Sequence, residues 1–114
     1  MKTASIFTAS LAALLIAGAP VTSGADELPT LNLVIKNGRF EPETLEAPAA
    51  KKFKLVIKNE GPGAEEFESH DLKKEKVLGP GATSFLVFAP LKPGTYKFFG
   101  EFHPDTAKGQ IVVR

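Results

Sequence analysis

From about residue 30 onward the chain alternates apolar and polar side chains with a period of two. Leu31, Leu33 and Ile35 interleave with Asn32, Val34 and Lys36, and Phe53, Leu55 and Ile57 interleave with Lys54, Val56 and Lys58. Such alternation with one charged face predicts half-buried strands, here expected to pair antiparallel. Further β-prone stretches run from Ala82 to Phe88, Tyr96 to Gly100 and Gln110 to Val113. Between them stand turn residues: Asn37-Gly38, Glu41-Pro42, Pro48, Gly61-Pro62-Gly63, Gly79-Pro80-Gly81, Pro90 and Pro93-Gly94. Proline presets φ and glycine accepts positive φ, so these positions break the strands rather than extend them. Short strands spaced by turns predict an all-β sandwich or small barrel of about seven or eight strands. Asp71 to Val77 has no clear period and is read as a short helical turn or an irregular crossing. On parity Phe53, Phe85 and Phe98 are core residues. Phe99 shares a face with Lys97 and is expected to be partly exposed beside any site.

The first residues follow a different pattern. Lys2 supplies a positive charge, Ala4 to Ala19 form a mostly apolar run, and Pro20 ends it before Ser23-Gly24-Ala25. Charged start, apolar middle and small-residue exit are the layout of a secretory signal peptide. The apolar run is short for a membrane span of roughly 20 residues. Residues 1–25 are therefore assigned as a signal peptide, with cleavage at or near Asp26 and no stable membrane insertion afterwards. Residues 26–114 are then one domain, at the small end of the ordinary range.

Charge and composition remove several classes of function. The chain has 14 Lys and Arg against 13 Asp and Glu, and loss of Lys2 with the leader brings the balance to about zero. The basic pairs Lys51-Lys52 and Lys73-Lys74 lie among glutamates, so no basic patch suits nucleic acid or an anionic membrane. Cysteine is absent, which excludes disulfides, a thiolate metal ligand, a thiol nucleophile and a lipid-attachment site. Stability must come from core packing, a bound metal or a partner.

Functional side chains gather in two stretches, Glu65-Glu66-Phe67-Glu68-Ser69-His70-Asp71 and Gly100-Glu101-Phe102-His103-Pro104-Asp105. In an extended segment Glu66, Glu68 and His70 point to one side. Carboxylates with imidazole suit Cu(II), iron, manganese or zinc rather than Cu(I). An acidic run beside a turn is commonly just solvated, and Glu65 fits that reading as readily as a site. His70 is as readily a surface residue as a ligand. His103, in a loop bounded by aromatic residues and Pro104, has less reason to be merely solvated. Ser69 beside His70 is too local for a hydrolytic triad, and no phosphate-cradling glycine loop precedes a helix.

The segment Pro93-Gly94-Thr95-Tyr96-Lys97-Phe98-Phe99-Gly100-Glu101-Phe102-His103, closing with Gly109-Gln110-Ile111-Val112-Val113, resembles the last two strands and ligand loop of a cupredoxin. Asn37-Gly38-Arg39-Phe40-Glu41-Pro42, with Leu45 and Pro48, resembles the opening hairpin of that family. The likeness implies a cupredoxin-like Greek-key β-sandwich. Glu66-Phe67-Glu68 and the Gly100 to His103 loop are most similar to cupredoxin-like domains of bacterial periplasmic iron-uptake systems of the EfeO type. The chain departs from blue-copper relatives in three places. Gly100 stands where they carry cysteine, no methionine follows near Lys108, and the upstream histidine position is read as Glu66. Only His103 keeps its ligand type.

The resemblance therefore implies a copper or iron ion held by Glu66, Glu68, Glu101 and His103, with His70 nearby and no blue-copper centre. It implies a periplasmic protein serving iron, or copper-assisted iron, uptake by binding the metal. Fe(II) oxidation or delivery is a further step, and a periplasmic iron-binding protein or a membrane iron permease is the implied partner. The alternative is a metal-free scaffold that binds another protein through Phe99 and Phe102.

Overall fold

A computed structural model describes residues 28–114, and the signal peptide assigned to residues 1–25, with its cleavage position, lies outside them. Nine strands follow one another: β1 (Thr30–Lys36), β2 (Arg39–Glu41), β3 (Thr44–Ala47), β4 (Phe53–Asn59), β5 (Glu65–Ser69), β6 (Lys74–Leu78), β7 (Thr83–Phe88), β8 (Gly94–Phe99) and β9 (Lys108–Val113). They form a four-stranded sheet in the order β2-β1-β4-β7 and a five-stranded sheet in the order β3-β9-β8-β5-β6.

The inward parity of each strand supplies the core. Leu33, Ile35, Phe53, Leu55 and Ile57 come from the first sheet, and Phe67, Phe98, Ile111 and Val113 from the second, all almost fully buried. Phe98 centres an aromatic group, its ring 4.9 Å from those of Phe40 and Phe67. Each large apolar side chain so buried contributes about 1.5–3 kcal/mol. In a chain without cysteine this packing does the work that disulfides do in many small exported domains.

The structure departs from the sequence reading at four points. First, β1 pairs with β4 in parallel, Leu33 opposite Ile57. The chain leaves β1 through a hairpin with β2, passes to β3 in the other sheet and returns in β4. Alternation reports that one face is wet and says nothing of a neighbour's direction. Second, the turn-rich stretch after Asn37 also holds the short strands β2 and β3, which raises the count to nine. Third, Asp71–Val77 is neither helical nor irregular throughout: a turn after Ser69 leads into β6, which pairs antiparallel with β5.

Fourth, Phe85 is 52% exposed and not in the core. Its register places it opposite Val56 while Leu86 faces Leu55, so the inward residues of β7 are Ser84, Leu86 and Phe88. Lys54 Nζ lies 4.6 Å from the centre of the exposed Phe85 ring. Phe53 and Phe98 are buried, and Phe99 is half-buried on the outer face.

The loop after β8 and the turn before β5 both adjoin the start of β5. Asn59, wholly buried, holds that turn: its Nδ2 donates to the carbonyls of Gly63, Leu78 and Gly79, and its Oδ1 accepts from Gly61 N–H.

Candidate metal site

Parity along β5 decides what the site contains. Phe67 faces the core, so Glu66 and Glu68 face outward, where Glu66 is opposite Val77 and Glu68 is flanked by Glu75 on β6 and Phe99 on β8. Just past β8 the Glu101 N–H donates to Glu66 Oε1 at 2.8 Å, which ties the loop to the strand. The carboxylates of Glu66, Glu68 and Glu101 consequently lie within 4.8 Å of one another. Glu66 is only 2% exposed, while Glu101 is open to solvent.

A further carboxyl reports the local field. Glu75 is held above the usual glutamate value of 4.5, first by a hydrogen bond with the Glu66 side chain, then by its negative charge, and least by burial. The like charge on Glu66 disfavours the ionised form of Glu75. Oxygen donors of this kind suit hard cations.

The histidines occupy different places. His70 Nε2 lies 3.1 Å from Glu68 Oε2, and its exposed ring stands edge-on to Phe99 with centroids 5.1 Å apart. It borders the carboxylate group without joining it. His103 is set apart: its Nδ1 lies 3.1 Å from Oε1 of Glu65, which has the inward parity of Phe67. The carboxylate that faces His103 is therefore Glu65 and not Glu66. A shift of one residue along a strand turns a side chain to the other face.

Glu65, left open from sequence between a solvated acid and a site residue, is 5% exposed, as its parity with Phe67 implies. Thus the predicted residues separate into Glu66, Glu68 and Glu101 together, His70 at their edge, and His103 with Glu65.

The His103 loop is closed on itself. His103 O accepts the N–H groups of Thr106 and Ala107, and Thr106 Oγ1 donates to Gly38 O at 2.6 Å. Gly38 has a φ of +67°, and a Cβ there would come within 2.9 Å of the His103 ring, so this position needs glycine twice over.

Gly100 also fits closely. Its N–H donates to Ala107 O, and a Cβ would lie 2.7 Å from Glu66 O and 3.1 Å from Ala107 Cβ. A blue-copper centre does not fit here, since the chain has no cysteine to supply its thiolate. Carboxylate oxygens with imidazole nearby fit an iron ion or Cu(II).

A family model for the cupredoxin-like domain matches residues 6–113. An uncharacterized protein of Rickettsia prowazekii (strain Madrid E) is 44% identical over 88 residues, covering 77% of this chain and 70% of that protein. Auracyanin A, a "blue" copper protein from Chloroflexus aurantiacus, aligns with a TM-score of 0.67 at 14% identity, over 77% of this chain and all 100% of its own. A purple cupredoxin from Nitrosopumilus maritimus gives 0.57 at 20% identity, over 74% and 99% of the two chains. The metal binding domain of the Streptococcus pneumoniae D39 Cu(I)-exporting P-type ATPase CopA, solved with Cu(I), gives 0.66 at 14% identity, over 75% and 84%. At such identities these likenesses to solved structures establish a shared fold.

Proposed function

The chain belongs to the cupredoxin-like domain family, and on that premise we propose that it is an exported, periplasmic metal-binding protein of iron uptake, holding iron or an assisting Cu(II) on Glu66, Glu68 and Glu101. The observation that carries this reading is the convergence of three carboxylates within 4.8 Å around a Glu66 that is almost wholly buried. Metal binding by fold neighbours, among them the Cu(I)-bound domain, supports a metal-holding use of the scaffold without specifying the donors.

Each residue has a part in this reading. Glu66 is fixed in advance by the Glu101 N–H, and Glu68 is oriented by His70, so two donors lose little freedom on binding. Glu101 is the exposed donor on the loop, where an ion enters from solvent or leaves for a receiver. His70 stands at the rim as a replaceable imidazole. The cation is cargo, taken up and passed on to a periplasmic iron-binding protein or a membrane permease. Oxidation of Fe(II) would need an external acceptor such as dioxygen, and hard oxygen donors would then retain the Fe(III) product.

The test is calorimetric titration of Fe(II), Fe(III) and Cu(II) into the purified, tag-free protein and its single variants. Glu66→Gln keeps shape and removes the charge of a direct donor, and is expected to weaken binding by at least the roughly tenfold to hundredfold lost when a group that only orients a ligand is replaced. His103→Ala is expected to change it less. Binding that survives Glu66→Gln and vanishes in His103→Ala would move the site to the Glu65–His103 end. A wild type that binds none of these ions would leave the protein-binding scaffold, with half-exposed Phe102 as its contact.

A further inference from the structure

The two sheets end in four strands, β2 and β7 in one and β3 and β6 in the other. Three of these edges carry devices that discourage pairing with another chain. β2 is three residues long with Arg39 and Glu41, β3 is four residues long with Glu46, and β6 bears Lys74, Glu75 and Lys76. β7 has none of them. Its six residues, Thr-Ser-Phe-Leu-Val-Phe, include no charge and no proline, and Phe85 is one of the few exposed large apolar side chains.

The hydrogen-bond phase of this edge can be read from one contact. Asn59 N–H donates to Ala82 O at 2.8 Å, one step beyond the Lys58–Thr83 partners. Residues 59 and 82 are therefore a hydrogen-bonded pair, and antiparallel ladders alternate bonded and non-bonded pairs. Ser84, Leu86 and Phe88 thus turn their backbone groups to β4, whereas Thr83, Phe85 and Val87 turn theirs to the open side. Among the described residues no other segment takes up those outward groups.

We propose that β7 pairs antiparallel with β7 of a second copy of this chain, with Phe85 on the two-fold axis. The axis follows from the phase. With Phe85 opposite its own copy, Thr83 meets Val87 and Val87 meets Thr83, so all the outward-turned residues form bonded pairs. Centring on Leu86 would leave Thr83 facing Ala89, beyond the end of the strand. The strand is also self-compatible: it carries no charge of its own, and it sets two exposed Phe85 rings side by side, each beside its own Lys54 ammonium. An isologous contact of this kind closes as a dimer and adds no further copies. It lies on the sheet opposite the carboxylates and leaves them open, so it does not depend on the metal reading.

Sedimentation velocity of the purified, tag-free protein over a concentration series from about 1 µM to about 1 mM tests the dimer. The mass is expected to double across the series. Phe85→Lys and Phe85→Glu, at an exposed position that leaves the core intact, are each expected to remain monomeric, and a one-to-one mixture of the two is expected to regain the dimer. Amide exchange gives a second readout: Thr83, Phe85 and Val87 should gain protection with concentration, while Ser84 and Leu86 are protected throughout. A wild type that stays monomeric, a dimer that survives Phe85→Lys, a mixture that does not recover, or exchange unchanged at the three outward amides would each overturn the proposal. So would a monomer that takes an unrelated extended peptide along β7.

Discussion

Replacing Asn59 tests how the turn before β5 is held. The side chain has no exposed surface, and its Nδ2 lies 2.8, 3.1 and 3.0 Å from the carbonyl oxygens of Gly63, Leu78 and Gly79. Its Oδ1 accepts the Gly61 N–H at 2.9 Å. Asn59→Ala removes all of these bonds. Gly63 and Gly79 are exposed and can turn to water, whereas the buried residue Leu78 cannot do so easily. A buried acceptor left unpaired costs about 1–3 kcal/mol, and each remaining bond is worth about 0.5–1.5 kcal/mol net. Part of that is recovered from water, so the expected loss is about 2–4 kcal/mol. Asn59→Asp has the same shape and turns an acceptor toward three carbonyls, so at pH 7 it should destabilise more than alanine does. Urea unfolding followed by circular dichroism measures both; with a slope of about 1 kcal/mol per molar urea, the alanine midpoint should fall by about 2–4 M. An aspartate variant more stable than the alanine variant would refute the donor assignment. An alanine variant within about 0.5 kcal/mol of wild type would show that the turn does not depend on this side chain.

Two other perturbations probe the outer face. Because Glu75 is raised above 4.5 in the folded protein, the native state favours its protonated form, and that stabilisation is present in acid and lost as pH rises through the raised value. Glu75→Gln stays neutral, so its melting temperature should exceed that of wild type at pH 7 and match it near pH 4; a gap independent of pH would contradict the Glu66–Glu75 contact. Gly100→Cys places a Cβ 2.7 Å from Glu66 O, so it should destabilise the fold by about 1–3 kcal/mol. With Cu(II) that variant should show only weak visible absorption, and an intense blue band would mean that the loop opens to form a thiolate site.

Strands were legible wherever one face of the sheet is wet. The alternation in β1 and β4 marked Leu33, Ile35, Leu55 and Ile57 as inward, and they are buried. Parity within a strand was legible too, which is why Glu66 and Glu68 could be placed on one side from sequence. Strand direction was not, because the parallel β1–β4 pair presents the same alternation as an antiparallel one. Phe85 was misread for a related reason. β7 carries apolar residues on both parities, and only its register against β4 decides which set faces inward. Glu65 stayed undecided from sequence because an acid beside a glycine-rich turn looks solvated, although its spacing from Phe67 carries the opposite message.

That spacing also explains why the candidate site residues divide into two groups. Glu65 and Glu66 are neighbours on β5 and therefore face opposite sides of the sheet. The loop that starts at Gly100 reaches both sides, with the Glu101 N–H on Glu66 and the His103 ring on Glu65. Gly100 is where the loop leaves β8, and lacking a side chain it lies against Glu66 O. A residue with a Cβ at this point would push the loop away from β5 and weaken the Glu101–Glu66 bond that holds the third carboxylate in place. Close contact of the loop with the strand at Gly100 thus gathers oxygen donors on the outer face.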